Sequence, residues 1–277
     1  MKPYKNKPIK IISAHPESAI GYFEKIWEYK SLIWVFAKRD LKVKYSQTFI
    51  GISWGLIQPL TSLLIFTFFF GYILKWNTNK LPYPLYVLSG LLGWNFFSFI
   101  VQSGTTCIQE SAHIIKKIYF PKSILPLSKI IVASMELVPN LLLLIFLALY
   151  YKLTLSWNII FIPFVLFFNA LCGLALVFWI GSFAYKRRDL LHILPFIVYF
   201  GIWFTPVFFS TNLLPEQYRP LMDLNPMANI INLWRWMLFE TVPFNTNWLI
   251  SFLIVLLLAA TGMFYFNIKE SKFSDYA

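Results

Sequence analysis

The sequence predicts an all-α integral membrane protein that crosses the bilayer six times. Hydrophobic residues make up 58% of the 277 residues and charged residues only 13%, which is about half the charged share of a soluble domain. Six apolar segments are each long enough to span a bilayer as a helix. Lysine and arginine are abundant in alternate connecting segments and scarce in the others, as expected of a multi-pass membrane protein.

The six predicted spans each hold about 20 or more mostly apolar residues, the length that a helix needs to cross the hydrocarbon core. They cover residues 52–74, 84–106, 127–150, 157–182, 190–210 and 247–267. No linker, low-complexity tract or internal repeat divides them. We therefore treat residues 47–277 as one transmembrane domain.

Two further segments are apolar but are not expected to span. Residues 21–46 mix apolar and charged side chains at helical spacing, which predicts an amphipathic helix lying at the membrane interface. A basic tail, residues 1–20, precedes this helix. Residues 211–240 are apolar but interrupted by prolines, which predicts two short re-entrant helices between the fifth and sixth spans.

The distribution of positive charge predicts the orientation. Nineteen of the 24 lysine and arginine residues fall in the N-terminal segment, the loop 105–129, the loop around Lys186 and the C-terminal end. Because basic loops are retained in the cytoplasm, both termini are expected there. The same loops account for the net charge of +12. No continuous basic face is formed, so nucleic-acid binding is not expected.

The sequence holds none of the constellations typical of a membrane enzyme. It contains no HExxH, GxSxG or GxxxxGK[ST] motif, and its three histidines are scattered. Cys107 and Cys172 lie far apart in or beside apolar segments, where small buried side chains are expected rather than a metal site. We therefore expect no catalytic residue, metal or cofactor on this chain. Without a P-loop, any use of ATP requires a separate subunit.

Glu136 lies about ten residues into the third predicted span. An ionisable group at that depth is by default a candidate functional group. The alternative is that Glu136 faces neighbouring helices, is hydrogen-bonded to a serine, threonine or asparagine, and holds the bundle together. A proton-coupled carrier would rest on this residue alone, although such carriers usually hold several ionisable groups along a path.

The loop 107–126 combines apolar, aromatic and basic side chains, and it predicts a short amphipathic helix that ends at Pro121. Exposed apolar and aromatic residues on such a loop indicate a surface for a partner protein. The same loop would also fit against anionic lipid headgroups through Lys116 and Lys117. The residues alone leave both interpretations open.

Several short motifs occur in a characteristic order along the chain. They are residues 39–45 with Gln47, Thr48 and Gly51, Trp54 with 58–60, 114–121 with 124–126, Arg188 with Asp189, 214–216 with 224–227 and Arg235, and 273–275. In this order they resemble the membrane (permease) subunit of ABC-2 type exporters of cell-surface polysaccharides, which comprise O-antigen, capsule and wall-teichoic-acid exporters. The basic tail departs from that pattern and has no assigned role.

The resemblance implies a permease of the bacterial inner membrane that works as a homodimer, with the first and fifth spans of each copy lining a central channel. Two copies of a soluble ABC ATPase subunit, carrying ATP and magnesium, would dock on the loop 107–126. The residues expected to couple that subunit to the channel are His113, Ile114, Lys116, Lys117, Tyr119, Phe120 and Pro121.

A polysaccharide presents hydroxyl groups and apolar sugar faces, so a channel for it needs aromatic side chains and few fixed charges. The candidates on the first and fifth spans are Phe66, Phe70, Tyr199, Trp203 and Phe204, although lipid contact or helix packing would also explain each of them. The interface helix is a candidate for admitting a lipid-linked polysaccharide from the membrane, through Trp27, Trp34, Arg39, Lys42 and Lys44.

The resemblance favours O-antigen as the exported polysaccharide. Wall teichoic acid and capsule are alternatives within the same family, and a drug or a lipid is an alternative for an exporter of the same architecture. A multi-span acyltransferase or glycosyltransferase would need a loop with a histidine or carboxylate cluster, and the sequence contains none.

Overall fold

The computed structural model of the chain describes residues 19–46, 54–76, 78 and 81–276, and within these residues it contains helices, turns and loops but no β-strand. Most of the predicted basic tail 1–20 lies outside the described residues, as do the motif residues Gln47, Thr48 and Gly51. The α-helices are α1 (Ala19–Glu28), α2 (Lys30–Ser46), α3 (Trp54–Phe66), α4 (Tyr83–Glu110), α5 (Ala112–Ile115), α6 (Ile124–Tyr150), α7 (Ile162–Ala184), α8 (Asp189–Gly201), α9 (Arg219–Leu224), α10 (Pro226–Phe239) and α11 (Asn247–Tyr276).

Five helical segments of the described residues are long and apolar enough to span a membrane. They are Gly55–Ile73, Tyr83–Glu110, Ile124–Tyr150, Trp157–Ala184 and Asn247–Glu270. The first consists of α3 continued by a π-helix, and the fourth consists of α7 preceded by a 3₁₀ turn. These five segments correspond to predicted spans one to four and six, so the prediction of an all-α membrane protein is confirmed.

The predicted span 190–210 corresponds to a shorter apolar helix. The helix Asp189–Phe204 joins α8 to a 3₁₀ turn and rises roughly 24 Å at 1.5 Å per residue, less than the ~30 Å of a hydrocarbon core. Residues 205–210 follow without regular helix. The described residues thus contain five helices of spanning length and one shorter apolar helix.

Helix α4 is the centre of the bundle, because nineteen of its 28 residues are buried. It packs against α6, α7 and α10. Two glycines bring α4 and α7 close together: a Cβ added at Gly104 would lie 2.8 Å from Val177, and one at Gly173 would lie 2.8 Å from Ile100. Small residues at helix contacts are typical of membrane proteins, in which close backbone approach provides the packing energy.

The predicted interface helix 21–46 is two helices, α1 and α2, which meet at Tyr29. Helix α2 runs along α6 and is tied to it by the ion pair of Asp40 with Lys129, at 2.8 Å. Helix α1 contacts the last turns of α11 through Tyr22 and Glu270. We call the end of the bundle that carries α1, α2, α5 and the last turns of α11 the basic end.

The predicted pair of short helices in residues 211–240 corresponds to α9 and α10. Pro220 and Pro226 stand in the first turn of each helix, where a missing N–H is tolerated. Helix α10 packs on α4, α7 and α11, and its Arg235 is fully buried. The guanidinium of Arg235 donates to the carbonyl of Val207 at 2.8 Å and lies 3.6 Å from the ring centre of Tyr86. This contact joins α10 to α4 and to the turn after α8.

Candidate functional site

Helices α3, α4 and α8 enclose a groove of about 670 Å³. At one end of it Phe66, Trp203 and Phe208 form a cluster, with ring centres 3.8 Å apart for Phe66 and Phe208 and 5.2 Å apart for Trp203 and Phe208. Phe70 joins this cluster at 6.5 Å from Trp203. We call the groove with these rings the aromatic groove. Its walls are segments of the first, second and fifth predicted spans.

A second cavity of about 300 Å³ lies between α2, α3, α4 and α6. It shares four lining residues with the aromatic groove, so the two spaces adjoin. The shared residues are Gln58, Asn95, Ser98 and Gln102. We call this second space the polar cavity. Asn95, Ser98 and Gln102 lie on one face of α4 because they follow one another at three- and four-residue spacing.

Glu136 lies in the wall of the polar cavity, where its carboxylate forms an ion pair with Lys44 of α2. A serine, threonine or asparagine was one predicted partner for the Glu136 carboxylate, but the structure gives it a lysine. Asn140 donates to the backbone carbonyl of Glu136, at 2.9 Å. Burial, and then the negative charge of Glu136, raise the pKa of Tyr45 above its ordinary value. The ion pair joins the interface helix α2 to the third span.

Not all of the predicted channel residues lie in the aromatic groove. Phe66 and Trp203 line it, and Tyr199 lines it with a largely exposed ring. Phe70 contacts the cluster through Phe66 and Phe208 but does not line the groove. Phe204 is 70% exposed and does not line the groove.

Residues 112–121, which we call the coupling segment, contain α5 and the turn that follows it. His113, Lys116, Lys117 and Tyr119 are exposed, and Ile114 is half-buried. Phe120 is only 2% exposed and packs on Phe36 of α2, with ring centres 5.4 Å apart. Pro121 is buried too. The predicted coupling residues therefore divide into an exposed set and a pair that fixes the segment to the bundle.

The predicted substrate-admitting residues of α1 and α2 also divide. Trp27 and Trp34 are exposed, and Lys30 lies over the Trp27 ring at 4.0 Å. Lys42 is exposed. Arg39 is bound at the basic end, to Asp40 at 2.7 Å and to Ser111 at 3.4 Å. The exposed members include both apolar and basic side chains, as expected of helices at a membrane interface.

The sequence matches the family of ABC-2 type transporters over residues 31–239, more than half of the chain. This chain belongs to the ABC-2 type transporter family.

Three relatives are similar to the chain over most of their length. The O-antigen export system permease protein RfbA of Myxococcus xanthus is 26% identical over 265 residues, which cover 93% of this chain and 98% of that protein. RfbA of Klebsiella pneumoniae is 26% identical over 251 residues, covering 88% and 94%. The polysialic acid transport protein KpsM of Escherichia coli is 21% identical over 211 residues, covering 71% and 77%.

At the basic end of this ABC-2 transporter chain, three elements meet around Glu270. Its carboxylate accepts from the hydroxyl of Tyr22 in α1 and, at 3.0 Å, from the backbone N–H of Lys122 after the coupling segment. Burial, followed by the charge and the hydrogen bond of Glu270, raises the pKa of Tyr22 well above its ordinary value. The hydroxyl therefore stays protonated at neutral pH and remains a donor to Glu270.

Reasoning from the sequence missed the polar wall shared by the two cavities. Asn95, Ser98 and Gln102 interrupt a long apolar span at helical spacing, and this pattern is a usable signal for a polar face inside a membrane. Gln58 and Asn140 belong to the same lining, but each is the single amide side chain of its predicted span. Amides and aromatic rings can bind polyhydroxylated molecules, and the two cavities bring both together.

Proposed function

We propose that this chain is the transmembrane subunit of an ATP-driven exporter that moves a lipid-linked cell-surface polysaccharide, O-antigen, across the bacterial inner membrane. The observation that carries the proposal is the similarity, over almost the full length of both chains, to permease proteins named for O-antigen export. A capsule exporter is the second candidate, because the chain is also similar to a polysialic acid transport protein.

The chemistry of the aromatic groove and the polar cavity supports a sugar polymer as cargo. The faces of sugar rings are apolar and pack on aromatic side chains such as Phe66 and Trp203. Sugar hydroxyls both donate and accept hydrogen bonds, and so do the amides of Gln58 and Asn95. A purely apolar cargo such as an acyl chain would leave these amides unpaired.

We further propose that two copies of the chain enclose the channel, with α3 and α8 of each copy facing the other. Each copy would cross the membrane six times, α8 together with residues 205–210 forming the fifth crossing. Both termini and the basic end would lie in the cytoplasm, and α9 and α10 would cover the external side. The charge distribution supports this orientation, since nineteen of 24 basic residues belong to the cytoplasmic segments it defines.

A separate soluble ATPase would supply ATP and magnesium binding, since the sequence has no P-loop. Its docking surface would be the exposed side of the coupling segment, formed by His113, Lys116, Lys117 and Tyr119. Phe36 and Phe120 would pass movement of that surface to α2, since their rings are in contact.

The test is deletion and complementation in the bacterium that encodes the chain, with surface polysaccharide measured by gel and by antibody binding to intact cells. We expect deletion to leave the polysaccharide inside the cell and the wild-type gene to restore it to the surface. The purified chain should bring down a soluble P-loop ATPase. Normal surface polysaccharide after deletion, or transport by the chain alone without ATP, would refute the proposal.

A further inference from the structure

One residue in the wall of the polar cavity, Asn140, has an amide oxygen without a hydrogen-bond partner among the described residues. Asn140 is only 9% exposed, and its Nδ2 donates to the backbone carbonyl of Glu136 at 2.9 Å. Its Oδ1 is buried without a hydrogen-bond partner among the described residues. A buried amide oxygen is unfavourable unless a donor reaches it. Asn140 lines the cavity, and the terminal torsion of an asparagine side chain is broad. A rotation about that torsion would bring the oxygen to the cavity, where the O–H group of a guest molecule can supply the donor.

Three other amides stand around the same space. Gln58 of α3 and Asn95 of α4 are exposed to it, and Gln102 donates to Ser98 at 2.8 Å. Asn95 is exposed although the α4 residues on either side of it, Trp94 and Phe96, are buried, since it is turned toward the cavity. A volume of about 300 Å³ corresponds to about ten waters at ~30 Å³ per water, so the space is large enough for part of a sugar polymer.

The charges of the cavity wall balance. Lys44 and Glu136 line it together and form an ion pair, so they contribute no net charge to the lining. Fixed unpaired charge would favour an ionic guest, whereas a neutral wall with several amides favours an uncharged molecule rich in hydroxyl groups.

We propose that the polar cavity is a binding site for sugar hydroxyl groups, in which Asn140 accepts a hydrogen bond from the substrate and Gln58, Asn95 and Gln102 donate to and accept from it. The site lies beside the aromatic groove, so one stretch of sugar polymer can present ring faces to Trp203 and hydroxyls to Asn95. This proposal rests on the proposed function and specifies where that function recognises its substrate.

The test uses the purified complex of this chain with its ATPase subunit, reconstituted in lipid nanodiscs. The probe is lipid-linked polysaccharide extracted from the same bacterium, and the measurement is the probe concentration that gives half of the stimulation of ATP hydrolysis. We expect Asn140→Leu to raise that concentration between about 2- and 10-fold, the effect of one lost hydrogen bond. Asn95→Leu should raise the same concentration. Because Asn95 is exposed, its substitution should leave the fold intact, so this variant tests the proposal even if Asn140→Leu does not fold.

Asn169→Leu is the matched control. Asn169 is also a buried asparagine whose Oδ1 lacks a partner among the described residues, but it lines neither cavity. Its substitution should lower the yield of protein without changing the half-stimulating concentration. Unchanged or lowered values for both Asn95→Leu and Asn140→Leu would overturn the proposal.

A second probe, the lipid carrier without its glycan, separates sugar binding from lipid binding. The half-stimulating concentration is measured for both probes. If the variants shift it for the bare carrier as much as for the polysaccharide, the cavity binds the lipid and the sugar site is refuted. If wild-type protein responds to neither probe, the proposed function fails first, and this outcome differs from a wild-type response that the variants leave unchanged.

Discussion

Tyr119 and Phe120 are neighbours in the coupling segment, yet one is 39% exposed and the other 2% exposed. Phe120→Ala removes a buried ring that packs on Phe36, and such truncations cost about 3–5 kcal/mol. For a chain of this size each kcal/mol of lost stability lowers the midpoint of thermal unfolding, Tm, by ~2–4 °C. The Tm of Phe120→Ala should therefore fall by roughly 6 °C or more. Tyr119→Ala leaves that packing in place and should change the midpoint little, while binding of the ATPase subunit is lost.

Two measurements on the same preparations separate these effects. The thermal midpoint comes from size-exclusion chromatography of heated, detergent-purified protein, and ATPase binding comes from co-purification at a temperature where both variants are folded. Phe120→Leu serves as the control, because it keeps most of the buried volume and should retain both properties. A stable Phe120→Ala variant that no longer binds the ATPase would refute the division into an exposed and a buried set.

Three further outcomes follow from contacts outside the coupling segment. Stability should fall by about 1 kcal/mol or less in each of the variants Lys44→Gln, Glu136→Gln and the double variant. In a double-mutant cycle measured by thermal melting, the effect of the double variant should be far from the sum of the two single effects. Arg235→Ala should cost roughly 1–3 kcal/mol, seen as a smaller monodisperse peak, because it leaves the carbonyl of Val207 unpaired. Folding raises the pKa of Tyr22 above 10, the ordinary value for tyrosine. Its contribution to the free energy of unfolding should therefore be complete below pH 10 and should decline at higher pH. Tyr22→Phe should lose less stability above pH 10 than the wild type does in pH-dependent melting curves.

The sequence was sufficient for the elements whose signal is local. Length and apolarity located five spanning helices, and prolines located the starts of α9 and α10, because these features act within one or two helical turns. The break between α1 and α2 at Tyr29 has no glycine or proline to mark it. The position of the turn after α8 is fixed by Arg235, which binds the carbonyl of Val207 from 28 residues away. Such a contact is decided by tertiary packing.

The candidate site was predictable to a similar extent. Aromatic residues on the first and fifth spans pointed to Phe66 and Trp203, but the same reasoning also selected Phe204, which does not line the groove. A helix position cannot be assigned to a groove or to lipid when both surroundings accept apolar rings. Polar positions carry more information inside a membrane, because an amide at that depth requires a partner. The spacing of Asn95 and Gln102 was therefore the better signal.

Helix α2 connects the two ends of the proposed mechanism. Its Phe36 contacts the coupling segment through Phe120, and its Lys44, about two turns further along, contacts Glu136 at the polar cavity. Asp40, between them, is held by Lys129. A rigid helix fixed at three points cannot move at one end alone, so a displacement of the coupling segment has to be absorbed by the Lys44–Glu136 contact or by bending of α2. Separating the Lys44–Glu136 pair costs less free energy than bending α2, because the pair is partly exposed and such an ion pair contributes little. Movement of the coupling segment is therefore expected to open the polar cavity before it distorts the helix.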